Sequence, residues 1–294
     1  MSRFLLVAMV LSACSRPDRT DEPGGDPATA AKPTVLQAKG SDTMVNLSQR
    51  LSEEYAKINP KVIVAVTGGG SGTGIKSIID KSTDMANSSR PMKGEEKEQA
   101  KANGVNVVET TIAFDGLSIY VNKDNPIANI DFEKLKAIYG SEGTAMKWKD
   151  VGVTLDCGNG DDAIVKVGRQ NNSGTYEYFK EHVIGGGGKF TSTMDQSGTQ
   201  QVVDVVATTK CAIGYGGMGY HTEGARSVCL AKLATDTCVD PTEANVLAGS
   251  YPFSRALYVY TDGEPVGAIK EFLDWSKSAA ARPTIADAGF VPVP

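Results

Sequence analysis

Short apolar runs alternate with helical patterns along most of the chain. Val35-Leu36 opens a strand. Leu47, Leu51, Tyr55 and Ile58 then recur at helical spacing, and Asn59-Pro60 predicts the end of that helix, because the residue before a proline is pushed out of helical geometry. Val62-Ile63-Val64-Ala65-Val66 is β-branched and predicts the next strand. The glycine-rich residues 68–74 lead into a short helix carrying Ile75, Ile78 and Ile79. Strands and helices alternating in this way predict an α/β fold with helix-flanked sheets. No period of roughly 20–50 residues repeats, which excludes a solenoid. Gly185–Gly188 reads as a surface connection.

The first residues break this pattern. Arg3 precedes the apolar run Phe4–Leu11, too short to span a bilayer as a helix. A charged start, a short apolar stretch and a small-residue exit form a secretory signal. The exit, Leu11-Ser12-Ala13-Cys14, looks like the lipobox of bacterial lipoproteins, with the Cys14 thiol as the lipid acceptor. Residues 15–33 have almost no large apolar side chain and are rich in Pro, Gly and Asp. Such a segment cannot bury enough surface to fold, so it reads as a disordered tether following the signal at 1–14. The expected place is the cell envelope, periplasmic side, with the membrane reached through a lipid anchor.

At 294 residues the chain is long enough for two domains. A net charge of −5 leaves no basic surplus for a nucleic-acid partner. An anion would have to bind at a local site, against a mildly repulsive overall field. Apart from Cys14 the cysteines are Cys157, Cys211, Cys229 and Cys238. They form no CxxC pair, and only His182 and His221 could join them on a metal, so neither a zinc site nor another cofactor is expected. In an oxidising compartment two disulfides are the better reading. Of the three connectivities, Cys229 with Cys238 closes a short hairpin-sized loop and leaves Cys157 with Cys211.

Three segments place small hydroxyl residues and backbone N–H groups just before a helix. They are Gly40-Ser41-Asp42-Thr43, Gly70-Ser71-Gly72-Thr73-Gly74 and Asn172-Ser173-Gly174-Thr175. A helix N-terminus offers unsatisfied donors and partial positive charge, which attract an anion. Arg169, four residues before Ser173, adds a bidentate fork suited to a tetrahedral oxyanion. Each piece alone fits a plain N-cap or a surface arginine; the conjunction is what points to an anion. Nucleotide loops do not fit, because Ile75 separates Gly74 from Lys76 and no GxGxxG register exists.

At these residues the chain resembles the phosphate-binding component of bacterial high-affinity phosphate importers, in the type 2 periplasmic-binding-protein fold. The resemblance runs from about Val35 to Val293 through GSDTM, GGGSGTGIKSI, NSSRP, AFDGLSIYVNKDNP, GRQNNSGTYEYF, AIGYGGMGY, YPFSRALYVY and GFVPVP. It implies two α/β lobes, 34–118 plus 262–294 and 119–261, the latter including the crossover strands. The crossovers would be Leu117–Asn122 and Ala256–Thr261, with inorganic phosphate in the interlobe cleft. An ABC permease and ATPase complex would be the partner. Carried over by motif, the ligand set is Ser41, Asp42 and Thr43 in the first loop, Ser71 in the glycine loop, and Arg169, Ser173, Gly174 and Thr175 in the second lobe. One position departs. Many relatives carry an aspartate after the serine of the strand-end segment, whereas this chain has Ser88-Ser89-Arg90. Ser89 then stands among the ligands, and the role of hydrogen-bond acceptor moves to Asp115 of AFDG, with Asp42 in reserve. A hydrolase would need a triad or a metal, and neither histidine belongs to one. Within the binding class the rivals to phosphate are sulfate, molybdate or another oxyanion.

Overall fold

The computed structural model describes residues 32–158, 160–185 and 187–294. The signal, Cys14 and all but the end of the expected tether lie outside the described residues. In chain order the elements begin with β1 (Thr34–Gly40), a 3-10 turn (Asp42–Met44), α1 (Val45–Ile58), β2 (Val62–Thr67), α2 (Ser71–Ile79), β3 (Met85–Ser88), α3 (Gly94–Ala102) and β4 (Val107–Asn122). They continue with β5 (Asn129–Asp131), α4 (Phe132–Tyr139), β6 (Val165–Arg169), α5 (Gly174–Phe179), β7 (Met194–Gln196), α6 (Thr199–Thr208), β8 (Ala212–Gly217), β9 (Ala225–Ser227) and β10 (Cys229–Ala231). Last come α7 (Glu243–Leu247), β11 (Ser254–Asp262), α8 (Gly267–Ser276), α9 (Arg282–Asp287) and β12 (Val291–Pro292). Among the described residues no helix is long and apolar enough to cross a membrane.

The expected periodicities take their places. In α1, Leu47, Leu51 and Tyr55 are buried, and Tyr55 packs its ring against Phe272 and Trp275 of α8. Ile58 departs from that stripe and is 62% exposed. It is the last residue of the helix, where the chain already turns away at Asn59. In β1 and β2, Leu36, Ala38, Val62 and Val64 face inward, while Val35 and Ile63, paired in register, stay exposed.

One curled sheet runs β2-β1-β3-β11-β4-β8-β6-β7, with β9 and β12 both added on β4. Strand β4 holds the two halves together by exchanging partners. Its residues 107–116 pair antiparallel with β11, and its residues 117–121 pair antiparallel with β8. The exchange falls at Gly116, where a Cβ would lie 2.8 Å from Met218 Sδ and 3.2 Å from a Val246 methyl carbon. Strand β11 lies wholly between β3 and β4, so residues 254–262 share the sheet half of β1 to β3.

Aromatic packing fixes the second half. Phe179 stacks on Tyr215 at 4.0 Å between ring centroids and meets Tyr139 edge-on at 5.1 Å. These contacts seat α5, and therefore Thr175 at its start, against β8. Two disulfides, Cys157–Cys211 and Cys229–Cys238, each with Cα atoms 5.5 Å apart, cross-link this half, the first reaching into its core through Cys211. By restricting the unfolded chain, loops of these lengths stabilise by about 4 and about 3 kcal/mol respectively.

Candidate functional site

Four loops meet where the two sheet halves face each other. Strand β1 ends at Gly40, and Ser41 turns the chain into the 3-10 turn that starts α1. Strand β3 ends at Ser88, presenting Ser89, while Gly70, with φ +88°, swings the glycine loop into α2 at Ser71. From the other half, β6 ends at Arg169, and Ser173 caps α5 by accepting from Thr175 N at 3.1 Å and Tyr176 N at 3.4 Å. A strand that stops where a helix starts leaves hydroxyls and helix-terminal donors pointing the same way.

The hydroxyls converge in a fully buried cluster. Ser41 Oγ donates to Ser89 Oγ at 2.9 Å, and Ser71 Oγ lies 3.3 Å from Ser89 Oγ while accepting Ser89 N at 3.1 Å. Thr43 Oγ1 and Thr175 Oγ1, from opposite halves, are 2.9 Å apart. Gly174 closes the seam: a Cβ there would sit 2.3 Å from Ser71 Oγ and 2.6 Å from Ser89 Oγ. A side chain there would displace both hydroxyls from the cluster.

Two arginines face this cluster. Arg169, 1% exposed, donates from Nη1 to Thr199 Oγ1 at 2.8 Å and from Nη2 to Ser197 O at 2.9 Å. Its Nη2 also pairs with Asp42 Oδ2 at 3.1 Å. Burial pulls the Arg169 pKa down and Asp42 opposes this, but a guanidinium starts so far above neutrality that it stays charged. Arg255 holds Asp115 Oδ2 through Nε at 3.1 Å and Nη2 at 2.8 Å, and its Nη2 also reaches Thr175 Oγ1 at 3.1 Å. Nε of Arg169 and Nη1 of Arg255 are buried donors with no acceptor among the described residues. Each guanidinium is matched by one carboxylate, so an anion here is met by oriented donors rather than by net charge.

Asp115 is fully buried, and Gly217 gives it room: a Cβ there would come within 3.0 Å of both carboxylate oxygens. Burial pushes its carboxyl up, against the pull of Arg255 and of the Met218 N–H that donates to Oδ1 at 3.1 Å. A carboxylate offers about four acceptor positions. Three are taken, which leaves one on Oδ1.

Of the residues expected from sequence, Ser41, Thr43, Ser71, Ser89, Ser173, Gly174, Thr175, Arg169 and Asp115 thus come together. Asp42 does not join the hydroxyl cluster. Its Oδ1 accepts Gly69 N at 2.8 Å and its Oδ2 binds Arg169, so it positions a loop and a guanidinium instead. Arg255 and Thr199 were missed. Arg255 stands directly opposite Asp115 in the β4–β11 ladder, one residue before the expected crossover. Thr199 carried a readable signal: Ser197-Gly198-Thr199 repeats the Ser-Gly-Thr of 71–73 and 173–175, each at a helix start. Among the described residues no cluster of histidine, cysteine and carboxylates could hold a metal.

The chain matches the PBP superfamily domain over residues 27–280. It is 32% identical over 270 residues to the phosphate-binding protein PstS of Pseudomonas aeruginosa, covering 88% of this chain and 83% of that one. Among solved structures, a phosphate ABC transporter substrate-binding protein with bound phosphate from Clostridium perfringens superposes with a TM-score of 0.76 at 26% identity, covering 89% of this chain and all of that one. An ABC-type phosphate transport receptor from Vibrio cholerae superposes with a TM-score of 0.68 at 26% identity, covering 88% and 100%. The chain has the type 2 periplasmic-binding-protein fold and belongs to the PstS family of phosphate-binding proteins within the PBP superfamily.

Proposed function

We propose that the chain captures inorganic phosphate outside the cytoplasm and delivers it to an ABC-type importer. The observation that carries this reading is the convergence of Ser41, Thr43, Ser71, Ser89, Thr175, Arg169 and Arg255 in one buried cluster drawn from both halves of the sheet. Such a set supplies donors on all sides of a tetrahedral oxyanion. Among the described residues no hydroxyl of the set donates to a carboxylate or an imidazole, and Asp115 is tied to Arg255 and Met218 N, so the reading is capture and not hydrolysis. The lobes are 34–116 plus 254–294 and 117–253, a division that follows strand pairing and moves β11 out of the second lobe. Closure of these lobes on the anion would complete the site.

Calorimetry of the mature domain against phosphate, sulfate and molybdate, with a phosphatase assay alongside, decides the reading. Phosphate should bind most tightly, without turnover of phosphate esters. Tighter binding of another oxyanion would move the function to that anion, and ester turnover would move it to an enzyme.

Lipid anchoring at Cys14 belongs to the same reading, supported by the apolar run and small-residue exit before it. Several acyl chains give stable attachment where one is marginal. Cys14→Ser should therefore release the protein from the membrane fraction with its phosphate affinity intact; equal membrane retention would sink the anchor.

A further inference from the structure

The glycine loop also makes contacts that lie outside the hydroxyl cluster. Asn172, one residue before the α5 cap, crosses the cleft and seats itself on that loop. Its carbonyl accepts Gly72 N at 3.0 Å, and its side-chain amide donates to Gly69 O at 2.9 Å and reaches Thr73 Oγ1 at 3.5 Å. The loop is shaped to receive it. Gly70 has φ +88°, and a Cβ there would lie 2.6 Å from Asn172 O. Gly69 is held from both sides, since its N–H donates to Asp42 Oδ1 while its carbonyl accepts from Asn172. Asp42 in turn pairs with Arg169 across the same cleft. None of the Asn172 contacts involves the hydroxyl cluster, and Asn172 is exposed where Ser173 and Thr175 are buried.

We propose that Asn172 and the Gly69–Thr73 loop form a closure latch that sets how long the anion is retained without touching it. The latch rests on the phosphate reading, because retention is meaningful only for a captured ligand. Contacts made only in the closed state stabilise that state alone, so they slow ligand escape and leave encounter with the open lobes unchanged. Contacts remote from the anion also cannot tell one oxyanion from another. The latch therefore governs dwell time, and the buried cluster governs selectivity.

Stopped-flow release of phosphate from the wild type and from Asn172→Ala tests this. Loss of the side-chain bonds should speed release about fivefold, the size expected for solvent-exposed neutral hydrogen bonds, with association and the phosphate-to-sulfate ratio unchanged. An unchanged release rate, or a shifted anion preference, would overturn the latch. A second variant, Thr73→Cys with Asn172→Cys, separates this inference from the phosphate reading. It should cross-link across the cleft under oxidation, seen on non-reducing electrophoresis. Failure of the wild type to bind phosphate would remove the phosphate reading only, while failure of the cross-link to form with or without phosphate would remove the latch.

Discussion

Arg255→Met is expected to lower folding stability by about 3–5 kcal/mol and to reduce phosphate binding to background, because it leaves the Asp115 carboxylate buried without its partner. Asp115 is fully buried, and Arg255 supplies two of its three hydrogen bonds. Truncating one member of such a pair leaves the other's desolvation uncompensated, which is why the loss exceeds the worth of an ordinary hydrogen bond. The anion site suffers separately, since Arg255 also donates to Thr175 Oγ1 and keeps Nη1 free of acceptors among the described residues. Adding Asp115→Asn to Arg255→Met separates the two effects. The double variant should regain a large part of the stability, because the stranded charge is gone, and none of the affinity, because the guanidinium is still missing. Denaturant midpoints and calorimetry on the three variants provide the test. A single variant within about 1 kcal/mol of wild type that still binds phosphate would show that the pair is neither a structural requirement nor part of the site.

Much of this architecture can be read from local pattern, and the exceptions share one cause. The stripe Leu47, Leu51, Tyr55 needed only helical spacing, and β2 needed only its β-branched run. Hydroxyls before helices were visible because capping chemistry is local. What local pattern could not supply was direction across the cleft. Asp42 sits in the first loop beside two cluster residues, yet its carboxylate turns to Gly69 and Arg169, and nothing within a few residues of it signals that choice. Arg255 meets Asp115 through a strand register linking positions 140 residues apart. Register between distant strands depends on which faces become buried, and this chain's β4 changes partners midway, so a strand expected to start at Ala256, where β11 starts at Ser254, left the arginine outside it. Thr199 is different. Its Ser-Gly-Thr spelling matched two segments already singled out, so the signal was local and uncounted.

The same pairing carries the choice between phosphate and sulfate. At neutral pH phosphate retains at least one proton and sulfate has none, so only phosphate can donate a hydrogen bond. Donors such as Arg169, Thr43 and Ser71 serve both anions alike. Discrimination needs a buried acceptor, and Asp115 has one position left on Oδ1 after Arg255 and Met218 take the rest. Sulfate meeting that oxygen would leave two negative groups facing each other with no proton between them. An unpaired buried acceptor is disfavoured by about 1–3 kcal/mol, more for a charged one, which gives roughly tenfold discrimination or better. Asp115→Asn changes both terms in the same direction. It removes one negative charge beside the cleft, which strengthens binding of any dianion, and its amide can turn a donor where the acceptor stood. The phosphate-to-sulfate affinity ratio should therefore fall about tenfold or more, with sulfate binding rising in absolute terms. Competitive calorimetry on Asp115→Asn measures that ratio, and Asp42→Asn serves as the contrast, because its carboxylate points to Gly69 and Arg169 and its loss should change both anions together. An unchanged ratio in Asp115→Asn would place selectivity elsewhere, and a changed ratio in Asp42→Asn alone would return the acceptor role to the first loop.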